Sequence, residues 1–357
     1  MADGEPQWAE ANEVRLRGEN PLVTASVITV AFRSGSALVR LLDSLERQEG
    51  LAEILVVDNA DGGAEIDNAR ARDGVRLLEP GENLGFAAGS NVGARAARGD
   101  VLVFLNPDTV VAPGAIEALR RTLDDRSIGI AMARLRLLDE PEKLNASGVE
   151  VHVTGIGWAG GYGEPVDSVR RLQDVPAPSG TAMAVRAETF RELGGFAEEL
   201  FMYLEDLELG WRARLAGYRV VVDPEADVYH DYEYGRNPRK SYLLERNRLV
   251  FCLSAYSART LLLLAPVLLA TELGMLALSL RERWLKDKLA GWGWIVRNAR
   301  VVARRRRQTQ RLRRVRDREL AQHLTPVFSP GMLPVPAPLR AANPIVARYW
   351  SLIRRAL

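Results

Sequence analysis

The first third of the chain alternates two kinds of segment, and this alternation restricts the fold more than any other feature. Short apolar runs rich in β-branched residues predict strands at 26–31, 53–57, 75–78 and 101–105. Apolar residues at helical spacing predict helices at 37–47, 65–72, 91–98 and 113–124. Strands alternating with helices predict an α/β fold with a mostly parallel sheet flanked by helices. Ligands of such sheets bind beyond the carboxyl ends of the strands.

The rest of the chain divides by composition. Residues 128–178 are rich in glycine and turns, which predicts an irregular antiparallel extension. Further strands are predicted at 182–185 and 219–222, and further helices at 187–193 and 204–216. We expect a polar N-terminal tail at 1–22, an α/β domain at 23–250, a helical basic region at 251–324 and a Pro-rich segment at 325–357. The first 20 residues lack the basic start and apolar run of a signal peptide, so we expect the α/β domain in the cytosol.

Charge and cysteine content exclude several classes of protein. The 357 residues carry a net charge of +2, but residues 281–318 are dense in arginine. This segment suggests nucleic-acid binding, yet no aromatic residue for base stacking lies within its central run Arg304-Arg305-Arg306-Arg307, and nucleic-acid binding leaves the acidic motifs unexplained. We therefore predict no nucleic-acid partner. Because Cys252 is the single cysteine, an intrachain disulfide and a cysteine-based metal site are both excluded.

Acidic residues stand at the ends of predicted elements. Asp58 and Asp108 each follow a strand, and Glu205-Asp206 begin a helix. Each has a plain alternative: a lone acid after a strand is often a cap, Asn106-Pro107-Asp108 is good turn chemistry, and a helix dipole favours acids in its first turn. As functional groups, Asp108 would supply a hard oxygen ligand for Mg²⁺ or Mn²⁺, Asp206 a general base, and Asp58 an acceptor for the N3 proton of a uracil or thymine ring. His230 is either structural or a metal ligand through an imidazole nitrogen.

A glycine-rich loop precedes the predicted helix at 91–98. It reads Asn83-Leu84-Gly85-Phe86 and continues through Gly89, Asn91 and Gly93. Glycines let a backbone approach a ligand closely. The spacing matches neither the dinucleotide fingerprint nor a Walker-type phosphate loop, so the loop alone does not identify its ligand.

The order of these motifs is more informative than any one of them. VITVAFRSG, VVDNADGG, ENLGFAAGSNVGARAARGD, FLNPDT and SGTAMAVRAETFRELGGFAEELFMYLEDLELGWRARLAGYRV follow one another between residues 27 and 220. Over about residues 23–250 this series resembles family 2 glycosyltransferases, and within them bacterial rhamnosyltransferases that act on lipid-linked acceptors. The resemblance implies the Rossmann-like GT-A fold, followed here by a helical C-terminal membrane-associated extension.

The resemblance also implies roles for individual residues. Asp206 matches the catalytic base, with Glu205 beside it, and Asp108 and His230 match the metal site, although the family's DXD motif here reads Asn106-Pro107-Asp108. The implied nucleotide-sugar contacts are Ala31, Phe32, Arg33, Asp58, Asn83, Gly85, Phe86, Asn91, Asn106 and Arg212. The implied acceptor or phosphate contacts are Gly180, Thr181, Tyr242, Arg246 and Asn247, the last three from the segment YLLERNR.

By the same resemblance, the reaction is an inverting, metal-dependent sugar transfer in cell-wall or surface-polysaccharide assembly. The implied donor is dTDP-L-rhamnose, and the implied acceptor is N-acetylglucosaminyl-diphospho-polyprenol. A UDP-sugar donor with another acceptor and a non-catalytic scaffold are the alternatives. A nucleotidyltransferase fits less well, because VAFRSGS after the first strand is a poor match to its glycine-rich basic loop. A homodimer is a further possibility.

An almost uncharged stretch at 260–280 is long enough to cross a bilayer once. A single crossing would place Arg304-Arg305-Arg306-Arg307 outside, against the positive-inside rule, and Glu272 lies near the middle of the stretch. We expect peripheral or monotopic attachment to the cytoplasmic face of the cell membrane. An in-plane helix, interfacial tryptophans and arginines on anionic headgroups would provide it. The alternative is a buried helix followed by a solvated basic helix.

Overall fold

A ten-stranded sheet forms the centre of the protein. The computed structural model describes residues 24–59, 62–231, 237–331, 335 and 337–357, so the predicted tail at 1–22 lies outside the described residues. The strands are β1 (Ala25–Ala31), β2 (Leu51–Asp58), β3 (Val75–Leu78), β4 (Val101–Leu105), β5 (Thr109–Val111), β6 (Ile128–Leu137), β7 (Leu144–Ala146), β10 (Gln173–Asp174), β11 (Ala182–Arg186) and β12 (Arg219–His230), with β8 (Val149–Val151) and β9 (Gly157–Ala159) pairing separately. The order across the sheet is β10-β12-β6-β11-β4-β1-β2-β3, with β5 on β12 and β7 on β6.

The parallel half of the sheet matches the prediction from the sequence. β1 pairs in parallel with both β2 and β4, and β2 pairs in parallel with β3. All seven residues of β1 are buried, as expected for a strand covered on both faces. The helices of this domain are α1 (Ser36–Leu45), α2 (Ala64–Arg70), α3 (Gly85–Ala96), α4 (Ala115–Thr122), α5 (Ala187–Leu193) and α6 (Glu205–Leu215).

Two strands are longer or more central than predicted. Residues 128–137 form β6, between β11 and β12, rather than an irregular extension. Its glycine and alanines have weak strand preference, so pairing on both sides decides its conformation. β12 continues to His230 instead of ending at 222, because a register irregularity between Asp223 and Asp227 absorbs the Asp-Pro-Glu segment that looks like a turn.

Helix α3 begins at Gly85 rather than at residue 91. Its glycines lower intrinsic helix preference, which concealed the first six residues. Packing explains them: a Cβ on Gly93 would lie 2.4 Å from Ile28 Cγ2 on β1. The glycine-rich loop of the sequence is therefore mostly the first half of a helix pressed against the sheet.

The C-terminal third is helical and packs on the α/β domain. It comprises α7 (Lys240–Ala255), α8 (Ala258–Arg281), α9 (Leu285–Arg297), α10 (Ala299–Arg311), α11 (Asp317–Ala321) and α12 (Ala337–Ile353). α7 continues across the predicted boundary at 250–251. One apolar cluster joins Trp211 of α6 to Phe251, Leu264 and Trp350. The predicted segments at 251–324 and 325–357 thus share a core with the α/β domain.

Among the described residues, α8 is the one helix long and apolar enough to cross a membrane. Its single acid, Glu272, points into the protein, where its carboxylate accepts hydrogen bonds from Lys288 Nζ (2.9 Å) and Trp292 Nε1 (2.8 Å) and pairs with Arg248. Glu245 of α7 pairs with the same two cations. Two carboxylates and two cations therefore neutralise one another beside the middle of α8. These ion pairs hold α8 in one orientation against α7 and α9.

Candidate active site

The first turn of α6 presents the predicted base. The Asp206 carboxylate accepts hydrogen bonds from the backbone N–H of Gly180 at 2.8 Å and of Leu207 at 2.7 Å. The neighbouring Glu205 is buried, and its Oε2 has no hydrogen-bond partner among the described residues. Burial raises the pKa of Asp206, and burial together with the charge of Asp206 raises the pKa of Glu205 well above its usual value. This pair binds protons more tightly than ordinary carboxylates, as a general base working near neutral pH requires.

The segment before α6 has an unusual backbone. Phe201, Tyr203 and Leu204 all have positive φ angles, between 66° and 70°. Non-glycine residues pay a free-energy cost for this conformation, so surrounding contacts must hold it. Asn247 of α7 does so: its Nδ2 donates to the carbonyls of Leu200 (3.0 Å), Met202 (2.9 Å) and Tyr203 (2.7 Å).

Asn247 therefore stabilises residues 200–204, the segment that leads into the candidate base and is called the catalytic turn below. Its amide group is already bonded within the protein. Arg246, its neighbour on α7, donates to the carbonyls of Glu199 (3.0 Å) and Leu200 (2.8 Å). Its guanidinium also lies over the rings of Tyr242 (5.2 Å) and Trp294 (4.8 Å). The segment YLLERNR thus supports the loop that carries Glu205-Asp206.

A second centre joins Asp108 and His230. The Nε2 of His230, at the end of β12, lies 3.4 Å from Asp108 Oδ1. The Nδ1 of His230 lies 3.0 Å from Asn145 Oδ1, which fixes the ring so that Nε2 faces the aspartate. Asp108 Oδ1 is buried and has no hydrogen-bond partner among the described residues.

These residues suit a divalent cation. Two ligands of one octahedral Mg²⁺ at about 2.1 Å lie about 3 Å apart, close to the His230–Asp108 separation. The described residues contain no group of three or more histidine, cysteine, aspartate or glutamate side chains placed to hold a metal. An ion here would take its remaining ligands from water and from a diphosphate, as Mg²⁺ commonly does at phosphate sites.

Backbone contacts connect the two centres. Thr181 follows Gly180, whose N–H binds Asp206, and the carbonyl of Thr181 accepts the N–H of Asn106 at 2.9 Å. Asn106 in turn begins the turn that carries Asp108. The structure therefore brings Gly180, Thr181 and Asn106 between the candidate base and the candidate metal ligands.

The ends of β1 and β2 form the opposite side of the cleft. In their parallel register Ala31 lies beside Asp58. Phe32 is 45% exposed, with the Arg33 guanidinium 5.3 Å from its ring centre. Asp58 is buried, and Gly62 N–H lies 3.3 Å from its carboxylate oxygens. An exposed aromatic ring next to a buried carboxylate suits a planar base with an N–H to donate.

Asn59 connects this edge to the glycine-rich turn. Its Nδ2 donates to the Gly85 carbonyl at 3.0 Å, and its Oδ1 accepts from Leu84 N–H at 3.3 Å. Gly85 has a φ of +75°, and its N–H is bonded to Asn83 Oδ1 at 2.9 Å. Asn83 and Gly85 thus lie beside the edge of the sheet formed by Ala31 and Asp58.

Three predicted ligand contacts are instead built into the core. Arg212 is 1% exposed; its guanidinium binds Glu208 on the same helix and the carbonyls of Leu193 and Gly195. The prediction that Arg212 meets a phosphate is wrong, because all of these partners are internal. The amide of Asn91 bonds to the backbone of Phe196, and the ring of Phe86 packs edge-on against that of Phe196 at 5.6 Å. Both of these side chains fix α3 to the segment after α5.

Two contributors were missed from the sequence. Asn145 lies in the region taken as irregular, and no periodicity marks it as the partner of His230. Asn59 follows Asp58 directly, but a polar residue after a strand is an ordinary turn residue. Neither position carries a local signal, since their roles come from residues 25 or more positions away in the chain.

Comparison with known proteins agrees with this geometry. The sequence model described as "Glycosyl transferase family 2" matches residues 26–194. The chain is 31% identical over 243 residues to N-acetylglucosaminyl-diphospho-decaprenol L-rhamnosyltransferase of Mycobacterium tuberculosis, covering 59% of this chain and 78% of that protein. It is 26% identical to the low-salt glycan biosynthesis hexosyltransferase Agl10 of Haloferax volcanii, over 65% of this chain and 76% of that one.

Solved structures show the same fold. The crystal structure of GalNAc-T7 with UDP, GalNAc and Mn²⁺ superposes with a TM-score of 0.55 at 20% identity, covering 66% of this chain and 48% of that one. Staphylococcus aureus TarS 1–349 with UDP-GlcNAc superposes with a TM-score of 0.52 at 14% identity, covering 93% of this chain and 92% of that one. The parallel sheet, the carboxylates at its strand ends and the 31% identical relative together establish that this chain is a glycosyltransferase with a GT-A fold and belongs to glycosyltransferase family 2.

Proposed function

We propose that this enzyme transfers L-rhamnose from dTDP-L-rhamnose to N-acetylglucosaminyl-diphospho-polyprenol, with inversion at the anomeric carbon and with a divalent cation. The observation that carries the proposal is the arrangement of two centres in one cleft: Asp206 on Gly180 N–H, and Asp108 with His230 across the Thr181–Asn106 contact. A relative named as an L-rhamnosyltransferase of N-acetylglucosaminyl-diphospho-decaprenol is 31% identical over 243 residues, which supports the sugar and the acceptor.

The chemistry follows from the positions of these groups. Asp206 takes the proton of the acceptor hydroxyl as that oxygen forms its bond to the anomeric carbon. The bond from that carbon to the diphosphate breaks on the opposite face, and the electron pair leaves with dTDP, so a single displacement inverts the centre. Asp108 and His230 would hold the cation, which neutralises the charge that develops on the diphosphate. Asp58 and Phe32 bind the pyrimidine.

Glu205 has a separate task in this scheme. Its side chain is buried beside Asp206, and its raised pKa keeps a proton available on the pair. Two ionised carboxylates at adjacent buried positions repel each other, so ionisation of one favours protonation of the other. With Asp206 ionised, Glu205 therefore keeps its proton, and Asp206 is the member of the pair that can act as the base.

Helix α8 supports attachment to a membrane in the plane of the bilayer. Its exposed side is a continuous apolar stripe that includes Leu262, Leu269, Leu273 and Leu280, each between 59% and 76% exposed. Soluble surfaces rarely carry an apolar patch of this length. Glu272 lies outside this stripe, and its carboxylate is bound to Arg248 and Lys288 of the protein, so the helix can lie on a bilayer without exposing this charge to lipid.

Two of the predicted interfacial tryptophans, Trp292 and Trp294, and half of the central arginine run do not act as predicted. Trp292 donates to Glu272, and Trp294 lies under Arg246, so both turn toward the protein. Arg305 is bound to Glu199, and Arg306 donates to backbone carbonyls. Arg304 and Arg307 are exposed and are left to meet anionic headgroups.

The donor is tested by transfer assays with dTDP-L-rhamnose, UDP-glucose, UDP-N-acetylglucosamine and GDP-mannose, each with a synthetic prenyl-diphosphate-linked N-acetylglucosamine. We expect a rhamnosyl product with dTDP-L-rhamnose alone, abolished by EDTA and restored by Mg²⁺ or Mn²⁺. A product with a UDP-sugar would move the substrate assignment, and full activity in EDTA would refute the cation.

Membrane attachment is tested by flotation with vesicles containing phosphatidylglycerol. Replacing Leu262, Leu269 and Leu273 together with serine removes three exposed leucines from the stripe and should abolish flotation. The matched control is Leu172→Ser, a leucine 39% exposed on the α/β domain, which should float like wild type. Equal flotation of the triple variant would place the attachment elsewhere.

A further inference from the structure

A cavity of about 330 Å³ opens between α7, α8 and α9. Leu249 and Leu253 line it from α7, Leu261 and Leu268 from α8, and Ile295 from α9, with Cys252, Glu272, Trp292 and Val296 completing the wall. The charge of Glu272 is already compensated by Lys288 and Arg248, and the Trp292 N–H is bonded to Glu272. The cavity is therefore an apolar groove, and its volume falls in the range of small-molecule sites.

The mouth of the groove lies on the apolar side of the molecule. Val296 is 77% exposed and Leu253 37% exposed at its rim. Leu261 and Leu268 in its wall each precede a residue of the exposed stripe of α8, Leu262 and Leu269. The groove is thus continuous with the surface that we propose lies on the bilayer.

One row of side chains on α7 connects the groove to the catalytic turn. Arg239, Tyr242, Arg246, Leu249 and Leu253 follow one another at intervals of three and four residues, which places them in one row on a helix. Arg239 lies over the ring of Phe201 at 6.0 Å, directly beside the segment that leads into Glu205-Asp206. From Arg239 to Leu253 the row covers about 21 Å at the rise of an α-helix.

This row changes from cationic to apolar along its length. Within the described residues neither Arg239 nor Arg246 forms an ion pair with a carboxylate; both guanidiniums lie on the ring of Tyr242, at 5.5 and 5.2 Å. Arg246 is 5% exposed and donates to the carbonyls of Glu199 and Leu200, so it adds positive charge to the row without an acidic partner among the described residues. Arg239, in contrast, is exposed and can meet an anionic ligand directly. Positive charge next to the catalytic turn and an apolar groove one to two turns further on match a diphosphate followed by a hydrocarbon chain.

We propose that this groove binds the first isoprene units of the lipid acceptor, with the acceptor diphosphate on the exposed Arg239 and attracted by the positive charge of Arg246. The proposal rests on the proposed function, since it places the chain of the acceptor named there. The sugar then extends toward Asp206 while the remainder of the chain passes over Leu253 and Val296 into the bilayer. The lipid is thereby held by the enzyme next to the reacting hydroxyl and not merely concentrated by the membrane.

The test compares two acceptors in one detergent: N-acetylglucosamine diphosphate carrying a methyl group, and the same head carrying four isoprene units. We expect wild type to have a KM about tenfold or more lower for the tetraprenyl acceptor, because a few methylene groups are buried. Leu268→Trp and Ile295→Trp fill the groove and should remove this advantage while leaving the KM of the methyl acceptor unchanged. Leu172→Trp, at an exposed position outside the site, should keep it.

The proposal would be overturned if wild type had the same KM for the methyl and the tetraprenyl acceptor. It would also be overturned if Leu268→Trp and Ile295→Trp changed the KM of both acceptors equally. Calorimetry with tetraprenyl diphosphate, which carries no sugar, separates the groove from the proposed function. If wild type transfers to neither acceptor but binds tetraprenyl diphosphate more tightly than Leu268→Trp does, the acceptor assignment fails and the groove stands. If Leu268→Trp and Ile295→Trp bind tetraprenyl diphosphate as tightly as wild type and both unfold at a lower temperature, another part of this chain fills the groove and the proposal fails.

Discussion

Replacing Gly85 with alanine should displace the catalytic turn, because Gly85 packs directly against Phe201 of that turn. A Cβ on Gly85 would lie 2.5 Å from the backbone oxygen of Phe201 and 2.6 Å from its ring, so one of the two segments must move. The same Phe201 oxygen accepts a hydrogen bond from Ala87 N–H at 3.0 Å, which the displacement would break. Because Phe201 is four residues before Glu205, the shift passes directly into the turn that carries the base.

A second glycine, Gly81, separates the effect of the Phe201 contact from the free-energy cost of placing alanine in a left-handed backbone conformation. Gly85 and Gly81 have nearly equal φ angles, +75° and +81°, but a Cβ on Gly81 meets no atom within 4 Å. Alanine at either position pays about 1–2 kcal/mol for the left-handed conformation. At Gly85 overpacking against the Phe201 backbone adds about 1–3 kcal/mol. Displacement of Asp206 by about 1 Å should lower kcat by about a hundredfold.

The assay pairs urea unfolding with steady-state rhamnosyl transfer for both variants. We expect Gly81→Ala to lower the free energy of unfolding by about 1–2 kcal/mol with kcat unchanged. Gly85→Ala should lower it by about 2–5 kcal/mol and lose most of its kcat. If the two variants were equally stable and equally active, the contact between the glycine-rich turn and the catalytic turn would carry no function, and the reasoning would be refuted.

Further predictions concern the two centres. Asp206→Asn should lower kcat by about 10³-fold while calorimetry shows unchanged dTDP binding. Since the folded-state pKa values of Glu205 and Asp206 are raised, the unfolded chain ionises first as pH rises; Asp206→Asn should therefore be more stable than wild type at pH 7, and the difference should vanish toward about pH 4. In wild type, kcat/KM should fall as pH drops through the raised pKa of the pair, and a rate that stays constant down to the pH at which the protein unfolds would contradict the base. Asn145→Ala frees the ring of His230 and should weaken Mn²⁺ activation by about 10- to 100-fold, measured by metal titration; an unchanged titration would remove Asn145 from the site. Asn247→Ala leaves three carbonyls of the catalytic turn without their donor and should lower the free energy of unfolding by about 1–3 kcal/mol and kcat by more than KM, whereas a pure rise in KM would indicate that Asn247 contacts the acceptor.

The parts of the fold that follow from local pattern were predictable. The third and fourth strands and α5 have the predicted bounds, because each is a short apolar or amphipathic segment between clear breaks. β6 and the end of β12 were not, since glycine, alanine and Asp-Pro-Glu take their conformation from neighbouring strands rather than from local preference. His230 was selected without knowledge of the strand that positions it.

The candidate site shows the same division. Asp58, Asp108 and Asp206 were selected because they stand at or next to the first or last residues of strands and helices, and the sequence pattern alone reveals those boundaries. Arg212 was assigned wrongly for the same reason: it stands on the catalytic helix, but seven residues after Glu205 its side chain meets Glu208 and the carbonyls behind the helix. The side of a helix that faces the ligand is set by packing, which helical spacing alone does not supply.

The burial of Glu272 has a consequence for which acceptors can react. Because Glu272 is tied to α7 and α9, α8 cannot roll, and α7 in turn holds the turn that carries Asp206. With α8 lying on the bilayer, the base stands at one fixed height above the lipid surface. The reacting hydroxyl of a monosaccharide-linked lipid and that of a longer glycan stand at different heights. If α8 lies on the bilayer as proposed, the height of the reacting hydroxyl above the membrane would therefore select acceptors by glycan length.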